Sequence, residues 1–292
     1  MSYLKNFEMF LHTDKNASTS TVSGYLTDIK QFLDYEGTPD DLSKVTPSHL
    51  REFIVHLSKQ GRKRSSINRA VCSLKAFFNY LTDEEKLFTE SPADSIRTTK
   101  QDKTLPKFVS ESDMKSILNA AAQSSIKDRL ITELLYGSGG RVSEIASLKV
   151  EDIDFEDSFV SLFGKGSKER NNPIHESCVE LIKLYMKAYG IESGYLFPHK
   201  NDPNRHITRE AIFRLVKRLA IKAGVDPKKI SPHVFRHSFA THMLEHGCDM
   251  AHVQELLGHE DISTTRIYAR ITKTNKKATY AKFHPLASSP VL

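Results

Sequence analysis

Residues 231–242 read Ser-Pro-His-Val-Phe-Arg-His-Ser-Phe-Ala-Thr-His. Ser231 and Pro232 fit an N-cap and a first helical turn, so a helix starts here. His233, Arg236 and His237 then stand three and four residues apart, on one side of that helix. Two histidines at this spacing imitate a zinc pair. However, Val234 stands where a metalloprotease helix has its glutamate, and no suitable third ligand is evident. His237 also fits a core histidine with a satisfied hydrogen bond. A guanidinium at Arg236 disfavours a divalent cation beside it and favours a phosphate.

Working outward, three more segments carry reactive side chains. Residues 137–145, Gly-Ser-Gly-Gly-Arg-Val-Ser-Glu-Ile, form a glycine-rich loop that runs into an arginine and then a helix. Arg141 fits a surface residue paired with Glu144, or an arginine held at a loop–helix junction to grip a phosphate. Residues 164–170, Gly-Lys-Gly-Ser-Lys-Glu-Arg, lack the glycine spacing and the Lys-Ser/Thr pair of a phosphate-binding loop. Strand patterns on both sides make the segment a hairpin tip. Lys165 there is an exposed lysine, or a mobile one that enters a groove and donates a proton. Residues 256–268, Leu-Leu-Gly-His-Glu-Asp-Ile-Ser-Thr-Thr-Arg-Ile-Tyr, end one helix at Gly258 and start another near Ser263. Taken alone, Tyr268 fits a packing residue.

Together these groups share one chemistry. Attack on a phosphodiester without a metal places charge on the non-bridging oxygens, which arginines and an imidazole N–H stabilise. A phenol needs a base and a cationic site to act as a nucleophile near neutrality. The departing alkoxide needs a proton, which a lysine can supply.

The rest of the chain sets the frame. Its 292 residues suggest two domains, and 39% hydrophobic residues are enough for real cores. In residues 21–35, apolar Val22, Tyr25, Leu26, Ile29, Phe32 and Leu33 recur at helical steps. Leu50, Phe53, Ile54 and Leu57 repeat the pattern, as do Ile67, Val71, Leu74, Phe77, Phe78 and Leu81. Residues 96–107 are polar and basic, with Pro106, and read as an extended linker. Helices are expected over 110–122 and 127–136. An antiparallel hairpin is expected over 158–174, and helical periodicity from there to about Phe283. The sequence therefore predicts a mainly α protein. It has a four-helix-type domain at 1–95, a linker at 96–107, and at 108–292 a mostly helical domain with a small β-sheet.

A net charge of +6 fits a polyanionic partner, though basic runs are solvated surface in most proteins. Three cysteines without metal-type spacing argue against a disulfide scaffold. No stretch is apolar for long enough to span a membrane. The N-terminus lacks the order of a signal peptide, so the cytoplasm is the default location.

The four segments, in this order and at this spacing, resemble those of the tyrosine recombinases of the integrase superfamily, most closely the Xer group. The resemblance covers nearly the whole chain. It implies that the N-terminal helical domain clamps duplex DNA, and that Arg141 and Arg236 are the two catalytic arginines. It implies that Lys165 is the general acid to the 5′-oxygen, that His233 receives the tyrosine proton and that His259 supports the phosphate. Tyr268 would be the nucleophile that forms a 3′-phosphotyrosyl link. Arg62, Lys63, Arg64 and Arg69 are candidate phosphate contacts at the start of a helix. Thr208 and Arg209 open a second helix, continued by Arg214, Lys217 and Arg218, that the resemblance sets near the major groove. No metal and no cofactor is implied.

The reaction implied is site-specific recombination between two duplexes through a Holliday junction, in chromosome dimer resolution. The implied assembly is a homotetramer, or a heterotetramer with a related recombinase, with a septal DNA translocase as a further partner. A C-terminal tail, with a short helix near 276–283, would dock on a neighbouring subunit. The rival readings are a mobile-element integrase or excisionase, a type IB topoisomerase, a non-catalytic DNA-binding protein and a His-rich metalloenzyme. Gly140 departs from the family's usual Leu or Met, which predicts a looser loop around Arg141. Phe235 replaces the commoner Leu.

Overall fold

The computed structural model describes residues 2–99, 108–164 and 169–258. They belong to two compact units that divide between Lys103 and Thr104.

The first unit is a helical bundle of α1 (Ser2–Thr13), α2 (Thr19–Leu33), α3 (Pro47–Lys59) and α4 (Arg64–Asp83). Ser18 caps α2 by accepting from the Thr21 N–H at 3.3 Å. Pro47 opens α3, and the Thr46 N–H donates to His49 Nδ1 at 3.1 Å. The long α4 packs on α1, α2 and α3. The apolar positions of the helical repeat meet in one core, where Phe7, Phe32, Phe53, Phe77 and Phe78 are buried. Their rings pack edge to face, with centroids 5.2 Å apart for Phe7–Phe77 and 5.3 Å for Phe32–Phe53.

This packing continues past residue 95 to Thr99, the first part of the expected linker; the rest of that linker, residues 100–107, lies outside the described residues. Ile96 is buried in the same core. Arg51 donates to Ser95 Oγ at 3.0 Å, and Asn68 bonds the Thr99 backbone through both its amide atoms. One apolar residue in a polar run is enough to anchor the segment when a helix side supplies its hydrogen bonds.

The second unit begins with α5 (Glu111–Ala122), α6 (Ile126–Gly137) and α7 (Val142–Ser147). Strands β1 (Ile153–Asp154), β2 (Phe159–Phe163) and β3 (Glu169–Pro173) form an antiparallel sheet in the order β1-β2-β3. The hairpin is in the expected place, and Leu162 pairs with Arg170 and Val160 with Asn172. Then come α8 (Glu176–Tyr189), a second small sheet of β4 (Pro198–His199) and β5 (Asp202–His206), α9 (Arg209–Lys222), α10 (Pro232–Glu245) and α11 (Met250–Leu257). The β4–β5 ribbon breaks the expected helical run. Its residues are polar, and backbone pairing rather than apolar alternation defines it.

α10 packs on α6, α9 and α11. Phe235 is fully buried there, so the larger apolar residue is accommodated. His242, also on α10, is a satisfied core histidine. One ring nitrogen meets the Tyr136 hydroxyl and the other the Val109 carbonyl, each at 2.9 Å. Residues 165–168 and 259–292 lie outside the described residues, so Lys165, His259, Tyr268 and the expected tail helix do too.

Candidate active site

Arg236 sits in the second turn of α10 and is 6% exposed. Its Nη1 donates to the Gly139 carbonyl at 2.7 Å, and its Nη2 donates to the Leu257 carbonyl. One guanidinium thus joins the loop before α7 to the end of α11. His233, one turn earlier, is exposed, while His237 is half-buried. Burial, and then the charges of His233 and Arg236, pull the His237 imidazole below its ordinary value. His233 and His237 acquire no metal-type group of three or more His, Cys, Asp or Glu among the described residues.

Arg141 occupies the N-cap position of α7. The loop that delivers it is tight, contrary to the looser loop that Gly140 predicts. Ser138, Gly139 and Gly140 are all buried, and the Gly140 N–H donates to Ser138 Oγ at 3.2 Å. Gly139 has φ +61°, and a Cβ there would come 2.6 Å from the Phe239 ring. A Cβ at Gly140 would come 2.8 Å from the tip of Ile145. Gly139 is thus set by its positive φ and the adjacent ring, whereas at Gly140 the closest approach is the flexible tip of Ile145.

Glu144 is the hub that holds Arg141. The Arg141 N–H donates to Oε2 at 2.7 Å, and the Arg141 Nη1 donates to Oε1 at 2.8 Å. Glu144 is 4% exposed, so its charge needs compensation. A second guanidinium supplies it. Arg170 on β3 donates to both carboxylate oxygens, at 2.9 and 2.5 Å, in a fork–fork pair. Burial pushes the Glu144 carboxyl up. Hydrogen bonds from Arg170 and Arg141, with the Arg170 charge, outweigh it and hold the group at about 2. The pairing of Arg141 with Glu144 was legible from their spacing, but the part played by Arg170 was not. Asn172 was also missed. Its amide nitrogen donates to the Ser138 and Leu256 carbonyls at 2.6 and 2.7 Å.

These groups converge on one backbone feature, the C-terminal end of α11. Leu256 O accepts from Arg170 Nε at 3.0 Å and from Asn172. Leu257 O accepts from Arg236, and Gly258 O accepts from Arg141 Nη2 at 3.4 Å. The last carbonyls of a helix lack partners within it and carry its negative dipole end, so guanidiniums are favourable there. Gly258 ends the helix in the left-handed region at φ +60°. His259 is the next residue, and Tyr268 follows nine residues after that. The arginines of three separate segments are therefore gathered where the segment bearing the histidine and the tyrosine begins.

The candidate DNA contacts divide between the units. Arg62, Lys63 and Arg64 are exposed where α4 begins. Arg69 is tied to the buried carboxylate of Asp28 at 2.7 Å, with Ser73 on the other Asp28 oxygen at 2.9 Å. In the second unit, Thr208 Oγ1 caps α9 by accepting from the Ala211 N–H at 3.2 Å. Arg209 and Arg214 are exposed. Lys217 donates to the Pro227 carbonyl, and Arg218 pairs with Asp128 at 2.7 Å.

Comparison with known proteins places this site in a family. Residues 107–275 match the phage integrase family, and residues 4–85 match its N-terminal SAM-like domain. Tyrosine recombinase XerD of Halalkalibacterium halodurans is 35% identical over 299 residues, covering 97% of this chain and 98% of that protein. The chain belongs to the phage integrase family of tyrosine recombinases. Tyrosine recombinase XerD of Listeria innocua is 34% identical over 298 residues, covering 97% of this chain and 99% of that protein. Among solved structures, XerH site-specific recombinase bound to its palindromic difH substrate after cleavage has the same fold. Its TM-score is 0.76 at 22% identity, over 95% of this chain and 84% of that one. The mainly helical fold with small antiparallel sheets is thus a tyrosine recombinase fold, and the enzyme class is one that breaks and rejoins DNA.

Proposed function

We propose that this tyrosine recombinase exchanges strands between two specific duplex DNA sites and that its role is chromosome dimer resolution. Arg141 and Arg236 hold the scissile phosphate and stabilise the charge that builds on its non-bridging oxygens. His259 supports the same oxygens. The Tyr268 oxygen attacks phosphorus and its proton passes to His233. The bond to the 5′-oxygen breaks, and Lys165 protonates that oxygen. The phosphotyrosine conserves the bond energy, and a 5′-hydroxyl of the partner duplex then displaces Tyr268. No ATP is consumed. A tetramer on paired sites, of one recombinase or of two related ones, carries the exchange through a Holliday junction. The exposed Arg62, Lys63, Arg64 and Arg209, with the half-buried Thr208 at the start of α9, contact the DNA backbone.

The observation that supports this most is the convergence of Arg141 and Arg236 on the end of α11, next to His259. Two rigidly held guanidiniums suit a pair of phosphate oxygens. Each such donor contributes roughly 10²–10³ in rate when aimed at transition-state charge. The name XerD, carried by the similar proteins of Halalkalibacterium and Listeria, supports the chromosomal role over a mobile-element one. The test is recombination of a supercoiled plasmid carrying two copies of the site recovered from DNA that the protein binds and cuts. Expected are recombinant circles, formed without ATP and in excess EDTA. Relaxation of supercoils without exchange would contradict the reading in favour of a topoisomerase.

A further inference from the structure

Arg170 has no assigned part in the reaction described above, yet it ties two elements of the site together. Its side chain is 10% exposed. Its two terminal nitrogens grip both oxygens of Glu144, and its Nε grips the Leu256 carbonyl at 3.0 Å. The guanidinium therefore makes three charge-assisted bonds, two to the carboxylate beneath Arg141 and one to the helix that leads to His259. A Cβ at Gly258 would sit 3.0 Å from Arg170 Cδ, so the helix end is packed directly against this side chain. Asn172 lies two residues along β3, on the same face, and holds the same Leu256 carbonyl. That face is the inward one, since the strand partners Leu162 and Val160 are buried. Arg170 also stands five residues after Lys165, on the strand that follows the hairpin tip.

We propose that Arg170 is a positioning residue of the recombinase: it fixes Glu144 and the end of α11 in one arrangement and neutralises Glu144, so that Arg141 keeps its charge for the phosphate. The inference rests on the phosphate-binding role given to Arg141 above. One carboxylate and two guanidiniums leave a net positive charge at the loop that faces the phosphate. Without Arg170, Glu144 and Arg141 form a neutral pair, and the carboxylate competes with the phosphate for Arg141. Lysine cannot replace Arg170 fully, because an ammonium has no planar fork to span two oxygens while holding a third.

The experiment compares wild type, Arg170→Met, Arg170→Lys and the double variant Arg170→Met/Glu144→Gln in the full chain. Single-turnover cleavage of a nicked suicide substrate is measured at saturating protein, alongside affinity for the intact site and thermal stability. Arg170→Met is expected to slow cleavage by roughly tenfold to a hundredfold, the scale of a misplaced catalytic group, with site affinity changed much less. Arg170→Lys should fall between. The double variant should cleave faster than Arg170→Met, because the carboxylate that competes for Arg141 is gone, and also melt at a higher temperature, because a buried carboxylate that has lost its forked partner is gone. A merely structural brace would shift the melting temperature but leave single-turnover cleavage by the folded, saturating protein unchanged. A double variant no better than Arg170→Met in either readout would overturn the proposal, as would full activity of Arg170→Met. If wild type forms no covalent product, the proposed reaction fails. The order of melting temperatures then still decides whether Arg170 neutralises Glu144.

Discussion

Replacing Glu144 by glutamine changes little in shape and removes a buried anion from the site. The structure sets its cost. A carboxyl held at about 2 instead of its ordinary 4.5 reports stabilisation of the charged form in the folded state. That shift corresponds to roughly 3 kcal/mol. Glutamine keeps one acceptor, but it turns an N–H₂ group toward guanidiniums and leaves Arg141 and Arg170 without this countercharge. Breaking a buried pair from one side costs about 3–5 kcal/mol in comparable sites, which agrees with the first figure. For a unit of this size, about 3 kcal/mol lowers the melting temperature by roughly 6–12 °C. The sign follows from the lowered carboxyl. The stabilisation is complete above the ordinary value of 4.5 and is lost as pH falls toward about 2. The gap between wild type and Glu144→Gln should therefore be full at neutral pH and narrow in that acid window. The chain has no tryptophan, so helical circular dichroism and scanning calorimetry of the whole protein are the assays. Equal stability at neutral pH, or a gap that stays constant on acidification, would refute the account of Glu144.

Two further outcomes test other parts of the site. Lys165→Ala should slow cleavage strongly on a normal phosphodiester and recover on a substrate with a 5′-bridging phosphorothiolate, whose leaving group needs no proton. Equal impairment on both substrates would assign Lys165 to binding alone. Converting Arg62, Lys63 and Arg64 together to alanine should reduce the slope of log affinity against log salt by about 0.9 for each phosphate these side chains neutralise. An unchanged slope would remove these residues from the interface.

Much of the architecture was legible because helices declare themselves by period. The apolar positions of α2, α3 and α4 point to one core, and the sequence pattern marks each of them. The β2–β3 hairpin was legible from a short alternating run that meets glycines. What escaped was set by tertiary packing. Glu169-Arg-Asn-Asn-Pro reads as an exposed polar strand, yet Asn172 is buried because α11 covers it and offers carbonyls to its amide. Arg170 escaped for the same reason, since its partners lie 26 and 86 residues away in sequence. Ile96 alone could not signal that the packing of the first unit continues as far as Thr99. The strands β4 and β5 have no apolar alternation to betray them. In the site, Arg141 and Arg236 were named from motif chemistry. That both would reach the end of one helix was not deducible from spacing, because three non-adjacent segments meet there.

The central claim is that Tyr268 attacks the scissile phosphate within the site that Arg141 and Arg236 define. The direct measurement is covalent trapping of the full-length protein on a nicked suicide substrate, followed by digestion and mass spectrometry of the DNA-linked peptide. A nucleotide adduct is expected on the peptide containing Tyr268, formed in excess EDTA, with no adduct for Tyr268→Phe at unchanged DNA affinity. An adduct that persists in Tyr268→Phe, or one that maps to another residue, would contradict it.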